Sequence, residues 1–167
     1  MKQTDQLQLA QDLCMHGIAL SSEGKREESL SVYSEVLATY GDRRSDPFLR
    51  VLATAMFNMG TTLGILDRNE EAVIAYDKLI AKFDAKKNPE FQLYIVKAMM
   101  NKAYRLNTLL KNDDAIATYK ALVKRFGSSK DPDTIAYVQS VKSFLAERKA
   151  VLDARAASTQ DARSEER

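Results

Sequence analysis

The sequence predicts an all-α protein of seven helices, arranged as three helical hairpins followed by one last helix. Residues that favour helix are plentiful, whereas glycine occurs six times and proline three times in 167 residues. One amphipathic pattern, NEEAVIAYDKLIAKF at residues 69–83, returns 43 residues downstream as NDDAIATYKALVKRF. It also occurs, more loosely, 43 residues upstream as REESLSVYSEVLATY. A second kind of apolar helix pattern precedes each of these copies.

The repeat interval is defined by Tyr33, Tyr76 and Tyr119, which are 43 residues apart. In this register, further positions match in size and polarity: Gly17, Gly60 and Ala103; Leu20, Leu63 and Leu106; Leu30, Val73 and Ile116; Val36, Leu79 and Leu122; and Tyr40, Phe83 and Phe126. Similarity at a constant interval is the signature of a repeat array, in which each unit buries its apolar face against the next unit.

Most of the predicted helices have a recognisable start or stop signal, although the first lacks the start signal of the other A helices. We name the helices before the copies A helices, at about 4–22, 47–66, 89–110 and 132–153, and the copies B helices, at about 26–40, 68–83 and 112–126. Three A helices follow Asp46-Pro47, Asn88-Pro89 and Asp131-Pro132, which pair a capping side chain with proline at the first helical position. Glycines at 24, 41 and 127 and the turns LDRNE and LKNDD mark helix ends.

These helices form one predicted domain at residues 1–155, with hairpins at about 4–41, 46–84 and 88–127 and a capping helix at 132–153. The last A helix has no B partner in this sequence. We expect it to cover the apolar edge of the third hairpin, although an array that continues in a longer protein is the alternative. The polar segment at 156–167 is expected to be a disordered tail.

The spacing of small and large residues resembles the tetratricopeptide repeat. The second repeat carries Met56, Met59-Gly60, Leu63, Ala72, Tyr76 and Leu79 at that family's positions; the third carries Met99, Lys102-Ala103, Leu106, Ala115, Tyr119 and Leu122; the first carries Leu13, His16-Gly17, Leu20, Ser29, Tyr33 and Val36. The interval of 43 exceeds the family's usual 34, and the first-position tryptophan is absent. The longer repeats of kinesin light chains are more similar in interval. This resemblance, over residues 7–153, implies a right-handed α-solenoid whose A helices line a concave groove.

Composition and charge argue against several classes of partner. The net charge is only +2, so bulk electrostatics do not favour nucleic acid or an anionic membrane. Cys14 is the only cysteine, which excludes an intrachain disulfide. The N-terminal residues lack the apolar run of a signal peptide, and no apolar stretch is expected to approach membrane-spanning length. A cytoplasmic location is therefore expected.

Catalytic chemistry is not expected. The only histidine, His16, lies two residues from Cys14, so on a helix the two side chains point to nearly opposite sides, and we expect His16 to be a partly buried packing residue. The acidic pairs Glu70-Glu71 and Asp113-Asp114 fall in the first turns of B helices, where they complement the helix dipole. No metal-ligand spacing or phosphate-binding loop is present, so no cofactor or metal is expected.

The resemblance implies that a peptide or a helix of a partner protein binds along the A helices. The groove positions it assigns are Gln11, Cys14 and Ile18 in the first A helix, Thr54, Phe57, Asn58 and Thr61 in the second, and Lys97, Met100, Asn101, Tyr104 and Asn107 in the third. Asn58 and Asn101 either bind a peptide backbone or hydrogen-bond between neighbouring A helices. The methionines of the A helices either provide an adaptable binding surface or belong to the core.

Within that family, some members grip the C-terminal carboxylate of chaperones. Only Asn58 and Lys97 match the five positions used for this, while Cys14, Ile18 and Asn101 do not, so a chaperone-tail adaptor is not expected. The sequence thus predicts a non-enzymatic protein-interaction module. The alternatives are a structural or self-assembling scaffold, or a fragment of a longer array in a regulatory protein. RNA binding is disfavoured because no basic stripe recurs at the groove positions.

Overall fold

Seven α-helices follow one another along the part of the chain that the computed structural model describes, which is residues 2–83 and 89–165, with side chains up to residue 154. The helices are α1 (Gln3–Ser22), α2 (Arg26–Tyr40), α3 (Asp46–Ile65), α4 (Asn69–Lys82), α5 (Gln92–Thr108), α6 (Asn112–Phe126) and α7 (Pro132–Glu165). A 3-10 turn at Pro89–Phe91 precedes α5. No strand occurs within these ranges, so the all-α prediction is confirmed for the described residues.

The last helix is longer than predicted. We expected it to end near residue 153 and to be followed by a disordered polar tail, whereas α7 continues to Glu165. Residues 154–165, ARAASTQDARSE, contain neither glycine nor proline and are rich in alanine, so no local signal ends the helix. The prediction of a disordered tail was based on polarity, and polarity alone does not end a helix.

The helices pack mainly on their neighbours along the chain. Each helix packs on the next one, and the A helices α1, α3, α5 and α7 also pack side by side in a row. The B helices α2, α4 and α6 make no comparable contacts with one another over the described residues. The A helices are therefore close together on one side, whereas the B helices are spread apart on the other.

Two glycines allow the helices of a hairpin to cross closely. A Cβ atom on Gly17 would lie 2.6 Å from Cε1 of Tyr33, and one on Gly60 would lie 2.7 Å from Cε1 of Tyr76. Both rings are buried in the core between hairpins, as are the large side chains Phe48, Leu52, Leu79, Phe91, Ile95 and Leu122. The third hairpin has Ala103 at the glycine position, and its Tyr119 is only half-buried. The repeat register thus corresponds to a repeated packing contact.

The turn between the helices of each hairpin repeats as well. Gly24, Asp67 and Leu110 are 43 residues apart and all have left-handed backbones, with φ of 84°, 57° and 60°. At each turn the next residue donates its N–H to the carbonyl five positions earlier, as in Lys111 to Leu106 at 2.9 Å. This is the Schellman arrangement that ends a helix. Gly41 and Gly127 follow the ends of α2 and α6 as predicted, but with right-handed backbones.

Of the predicted N-terminal caps within the described residues, one is present and one is not. Asp131 caps α7, because its Oδ2 accepts the Thr134 N–H at 2.8 Å. Hydrogen bonds from the Thr134 side chain and backbone lower the pKa of Asp131. The prediction that Asp46 caps α3 is wrong, since the helix begins at Asp46 itself and Ser45 makes no side-chain cap bond. Asp46 instead lies in the first turn, where its charge complements the helix dipole. Asn88 lies outside the described residues.

One helix among the described residues, α3, is long and apolar enough to cross a membrane by length and composition, with a mean hydropathy of 1.2. This differs from the expectation that no stretch would approach that length. Of the apolar window, 56% is buried inside the protein, and the core helix of a soluble protein meets the same criterion.

Candidate functional site on the A-helix face

The predicted binding residues lie along α1, α3 and α5, and we call the surface they form the A-helix face. The structure places them at different depths. Gln11 and Tyr104 are exposed, Cys14 is buried, and the remaining ones are half-buried: Ile18, Thr54, Phe57, Asn58, Thr61, Lys97, Met100, Asn101 and Asn107. The face is therefore a mixed polar and apolar surface, and only part of each side chain reaches solvent.

A first cleft of about 430 Å³ is lined by α1 and the beginning of α3. It brings together Gln11, Cys14 and Thr54, with the exposed Met15 and Arg50 beside them. The Cys14 thiol is 4 % exposed and lies 4.0 Å from the Val51 carbonyl oxygen. Burial raises the pKa of this thiol to about 11, so it is protonated and poorly nucleophilic at neutral pH. The cleft therefore does not present a reactive thiol at neutral pH.

The middle of the face is closed by contacts between α3 and α5. The Thr54 hydroxyl lies 2.7 Å from the Tyr94 hydroxyl, and the centroid of the Phe57 ring lies 6.3 Å from that of Tyr94. Phe57 also packs on Tyr76, with ring centroids 6.1 Å apart. Two predicted binding residues, Thr54 and Phe57, thus help to hold neighbouring helices together. Tyr94 was not predicted, because the same position in the other repeats holds Gln8 and Val51.

The two matched asparagines have different environments. Asn101 Nδ2 donates a hydrogen bond to the Tyr76 hydroxyl at 3.2 Å, and that hydroxyl also lies 3.2 Å from Thr61 Oγ1. Asn58 makes no side-chain hydrogen bond within the described residues. Neither asparagine side chain bonds to a neighbouring A helix there. The expected hydrogen bonds between A helices are therefore not found for these two residues in the described part of the chain. Asn101 bonds to a B helix, and the Asn58 amide remains available for other hydrogen bonds.

A second cleft, of about 450 Å³, lies between α5 and α7. Lys97 and Met100 line it from α5, opposite Asp133 and Tyr137 of α7. The Lys97 ammonium lies 6.0 Å from the centroid of the Tyr137 ring, within the range of a cation–π contact. We expected α7 only to cover the apolar edge of the third hairpin, because it has no B partner in this sequence. The structure shows that α7 also contributes to this cleft.

Beyond this cleft the face ends at Tyr104 and Asn107 of α5. Tyr104 is 58% exposed, and the Arg105 guanidinium lies 4.8 Å from the centroid of its ring. The Asn107 side-chain oxygen has no hydrogen-bond partner among the described residues. The exposed Tyr104 ring is available to a ligand that extends past Met100, whereas the Asn107 oxygen is itself buried.

An apolar groove that was not predicted opens on the B-helix side. It has a volume of about 410 Å³ between α2 and α4, and Met56, Met59 and Leu63 of α3 form part of its lining. The matching space between α4 and α6 contains Lys102 at the Met59 position, and its ammonium bonds to Asp77 at 2.6 Å. The methionines therefore do not form one surface: Met56 and Met99 are buried, and Met15 is 62% exposed.

The residues considered for chemistry are not assembled into a site. His16 is exposed rather than partly buried, which corrects our expectation, because α1 is the first helix of the row. Glu71 accepts a hydrogen bond from Arg68 at 2.6 Å, which lowers the pKa of the carboxylate, while Glu70 is exposed. No group of three or more His, Cys, Asp or Glu side chains that could hold a metal ion occurs in the described residues.

No protein-family model matches the chain, and no curated protein matches it. Over the described ranges, the fold and the surface define an all-α arrangement of seven packed helices, with two clefts along the row of A helices.

Proposed function

We propose that the chain is a non-enzymatic, cytoplasmic protein-interaction module that binds a peptide or helix of a partner protein along the A-helix face. In this proposal it is a tetratricopeptide-like, right-handed α-solenoid, and the A-helix face is its concave groove. The close packing of the A helices and the spread of the B helices support a concave surface on the A side.

The observation that carries the proposal is the pair of clefts on one face. The α1/α3 cleft and the α5/α7 cleft lie on either side of the closed contact between α3 and α5. A segment lying across the row of A helices would reach both clefts. Concave, largely apolar clefts with a few polar groups are the usual form of binding sites.

The chemistry of the face favours a peptide with apolar anchors and an acidic group. Met100 and Tyr137 provide apolar contact in the second cleft, where Lys97 on α5 supplies a positive charge and Asp133 on α7 a negative one, so the acidic group of the peptide is expected on the α5 side. The Asn58 amide, which makes no side-chain hydrogen bond in the described part of the chain, can hydrogen-bond an extended backbone in the middle of the face.

Selection from a random-peptide display library, followed by calorimetric titration of the selected peptide, would test the proposal. We expect Lys97→Glu and Tyr104→Ala to weaken binding at least tenfold, because both side chains lie on the A-helix face. Lys78→Glu is the matched control, since Lys78 is exposed on the B-helix side. Binding that is insensitive to Lys97 and Tyr104, or lost in the control, would contradict the proposal.

A self-assembling scaffold is the second candidate. Its supporting observation is the exposure of apolar side chains on α1, where Leu9 is 43% and Met15 is 62% exposed. Light-scattering mass measured as a function of concentration distinguishes the candidates. A mass that rises with concentration, and falls again in Met15→Glu, would support self-assembly.

A further inference from the structure

The face of α7 that corresponds to the covered faces of the other A helices has no helix on it among the described residues. α1, α3 and α5 each pack against the B helix that follows, namely α2, α4 and α6. α7 is the fourth A helix of the row and packs on α6 and α5. The register of the repeat therefore shows what kind of element covers this face elsewhere in the same chain.

The position at which hairpin helices cross recurs on α7. Gly17 and Gly60 receive the rings of Tyr33 and Tyr76, and the third repeat has Ala103 there. The next member of this series, 43 residues on, is Ala146, which is exposed. A small side chain in this place leaves room for a large one from a helix lying across α7.

A groove of about 450 Å³ lies beside Ala146, between α6 and α7. Its apolar lining is formed by Ile116 of α6 with Leu145, Ala146 and Leu152 of α7. Leu152 is 53% exposed, and so is available to a further contact. The groove shares no residue with the α5/α7 cleft of the A-helix face.

The charge of this groove differs from that of the covered faces. Lys149 occupies the position of Leu20, Leu63 and Leu106, and Lys142 occupies that of Leu13, Met56 and Met99. The basic groups in the groove lining are Lys120, Arg148 and Lys149, and Asp153 is its acidic group. Lys142 lies about two turns before Lys149 on α7, outside this lining. A helix with the apolar face of α4 would bring leucine against ammonium groups, whereas glutamate at those positions would pair with them.

From the register, the small residue at the crossing point and the basic charge, we propose that the α6/α7 groove docks an acidic amphipathic helix of a partner protein. This helix occupies the position that a fourth B helix would occupy. Its apolar stripe contacts Leu145, Ala146 and Leu152, and its carboxylates lie against Lys142 and Lys149. The site is distinct from the A-helix face, so the two surfaces can bind different segments.

Fluorescence anisotropy with a designed probe tests this proposal. The probe is a fluorescein-labelled peptide with the sequence of residues 69–83 carrying Lys78→Glu and Lys82→Glu, titrated with the full chain. We expect saturable binding with a Kd on the order of 100 μM or tighter, because part of the interaction energy orders the peptide as a helix. The unmodified 69–83 peptide should bind about fivefold more weakly or worse. Absence of saturable binding of the acidic probe up to about 1 mM would overturn the proposal.

Two pairs of variants locate the binding. Lys149→Glu should raise the Kd of the acidic probe at least fivefold, whereas Lys124→Glu, an exposed lysine of α6 outside the groove, should leave it unchanged. Ala146→Arg should abolish binding, whereas Ala117→Arg, an exposed alanine of α6 outside the groove, should not. All four positions are exposed, so circular dichroism and urea midpoints should remain near those of the parent.

These variants, together with Lys97→Glu on the A-helix face, distinguish the proposed binding mode from three others. Equal loss of binding in Lys149→Glu and Lys124→Glu would mean nonspecific charge attraction and would overturn it. Dimerisation without peptide that is lost in Ala146→Arg would assign the groove to a second copy of the chain and would overturn it as well. Loss of binding in Lys97→Glu but not in Lys149→Glu would place the probe on the A-helix face instead.

Discussion

Asn101 donates a hydrogen bond to the Tyr76 hydroxyl 3.2 Å away, and so joins α5 to the preceding hairpin. The same hydroxyl lies within hydrogen-bond distance of Thr61 on α3. A buried tyrosine from a B helix therefore connects two A helices through polar groups on the proposed binding face. Asn58, 43 residues earlier, makes no such bond in the described residues, although it occupies the same repeat position.

Alanine substitution should affect stability at Asn101 and binding at Asn58. Asn101→Ala should lower the free energy of unfolding by about 1 kcal/mol, because it leaves the Tyr76 hydroxyl with one partner fewer. Asn58→Ala should change it by less than about 0.5 kcal/mol and should instead weaken binding of a selected peptide. Urea denaturation and calorimetric titration measure the two effects. Equal destabilisation by both changes would contradict the difference between the sites.

The tyrosines of the second and third repeats should also differ, although the sequence suggests equal roles. Tyr76→Ala should lower the free energy of unfolding by about 3–5 kcal/mol, because its ring is fully buried between hairpins. Tyr119→Ala should cost about 2 kcal/mol, since this ring is half-buried against Phe144, with centroids 5.1 Å apart. Chemical denaturation measures both, and a larger loss for Tyr119 would contradict the packing described.

Gly60→Ala should destabilise the protein even though alanine is the better helix former. The added Cβ would lie 2.7 Å from a carbon of the Tyr76 ring, so that the helices must move apart, at a cost of about 1–3 kcal/mol. Helix propensity alone predicts a gain of about 1 kcal/mol. The sign of the change in urea midpoint therefore decides between close packing and propensity. Gly17→Ala should behave similarly.

Leu110→Gly should stabilise the protein. Leu110 has φ of 60° and is 83% exposed, so glycine relieves backbone strain of about 1 kcal/mol without removing a buried side chain. Leu109→Gly is the control and should destabilise, because its φ of −80° is favourable for any residue and glycine gains nothing there. Thermal denaturation compares the two. A lower Tm for Leu110→Gly than for the parent would show that this turn is not strained.

Cys14 should resist alkylation in the folded protein. Burial raises the pKa of its thiol from 9.0 to about 11, and in this interval the folded chain holds a proton that the unfolded chain releases. The stability contributed by this group is thus present below pH 9 and is lost as pH rises towards 11. With iodoacetamide at pH 8, mass spectrometry should show slow labelling of the parent and fast labelling in urea. A Cys14→Ser, Met15→Cys variant should label fast when folded, because Met15 is 62% exposed.

The sequence determined the helices, their order and their repeat. Tyrosines at a constant interval, proline and glycine at helix ends, and apolar residues at helical spacing are local signals, and each is read within one or two turns of helix. The left-handed turns at Asp67 and Leu110 could have been inferred by copying Gly24 along the register. The continuation of α7 to Glu165 could not be inferred in this way, because the register would place the next turn at Asp153, 43 residues after Leu110.

Which side chains remain available for binding depends on how the helices pack against one another. Asn58 and Asn101 are the same residue type at the same repeat position, and both lie on A helices. Only Asn101 contacts a tyrosine hydroxyl, because the neighbouring helix must supply that partner. The same holds for Thr54, which bonds to Tyr94 of the next A helix, and for Lys97, which faces Tyr137 across a cleft. A repeat register assigns a residue to a face of a helix. Whether that residue forms a hydrogen bond depends on differences of a few tenths of an ångström in the donor–acceptor distance, and these are set by how helices far apart in the chain pack.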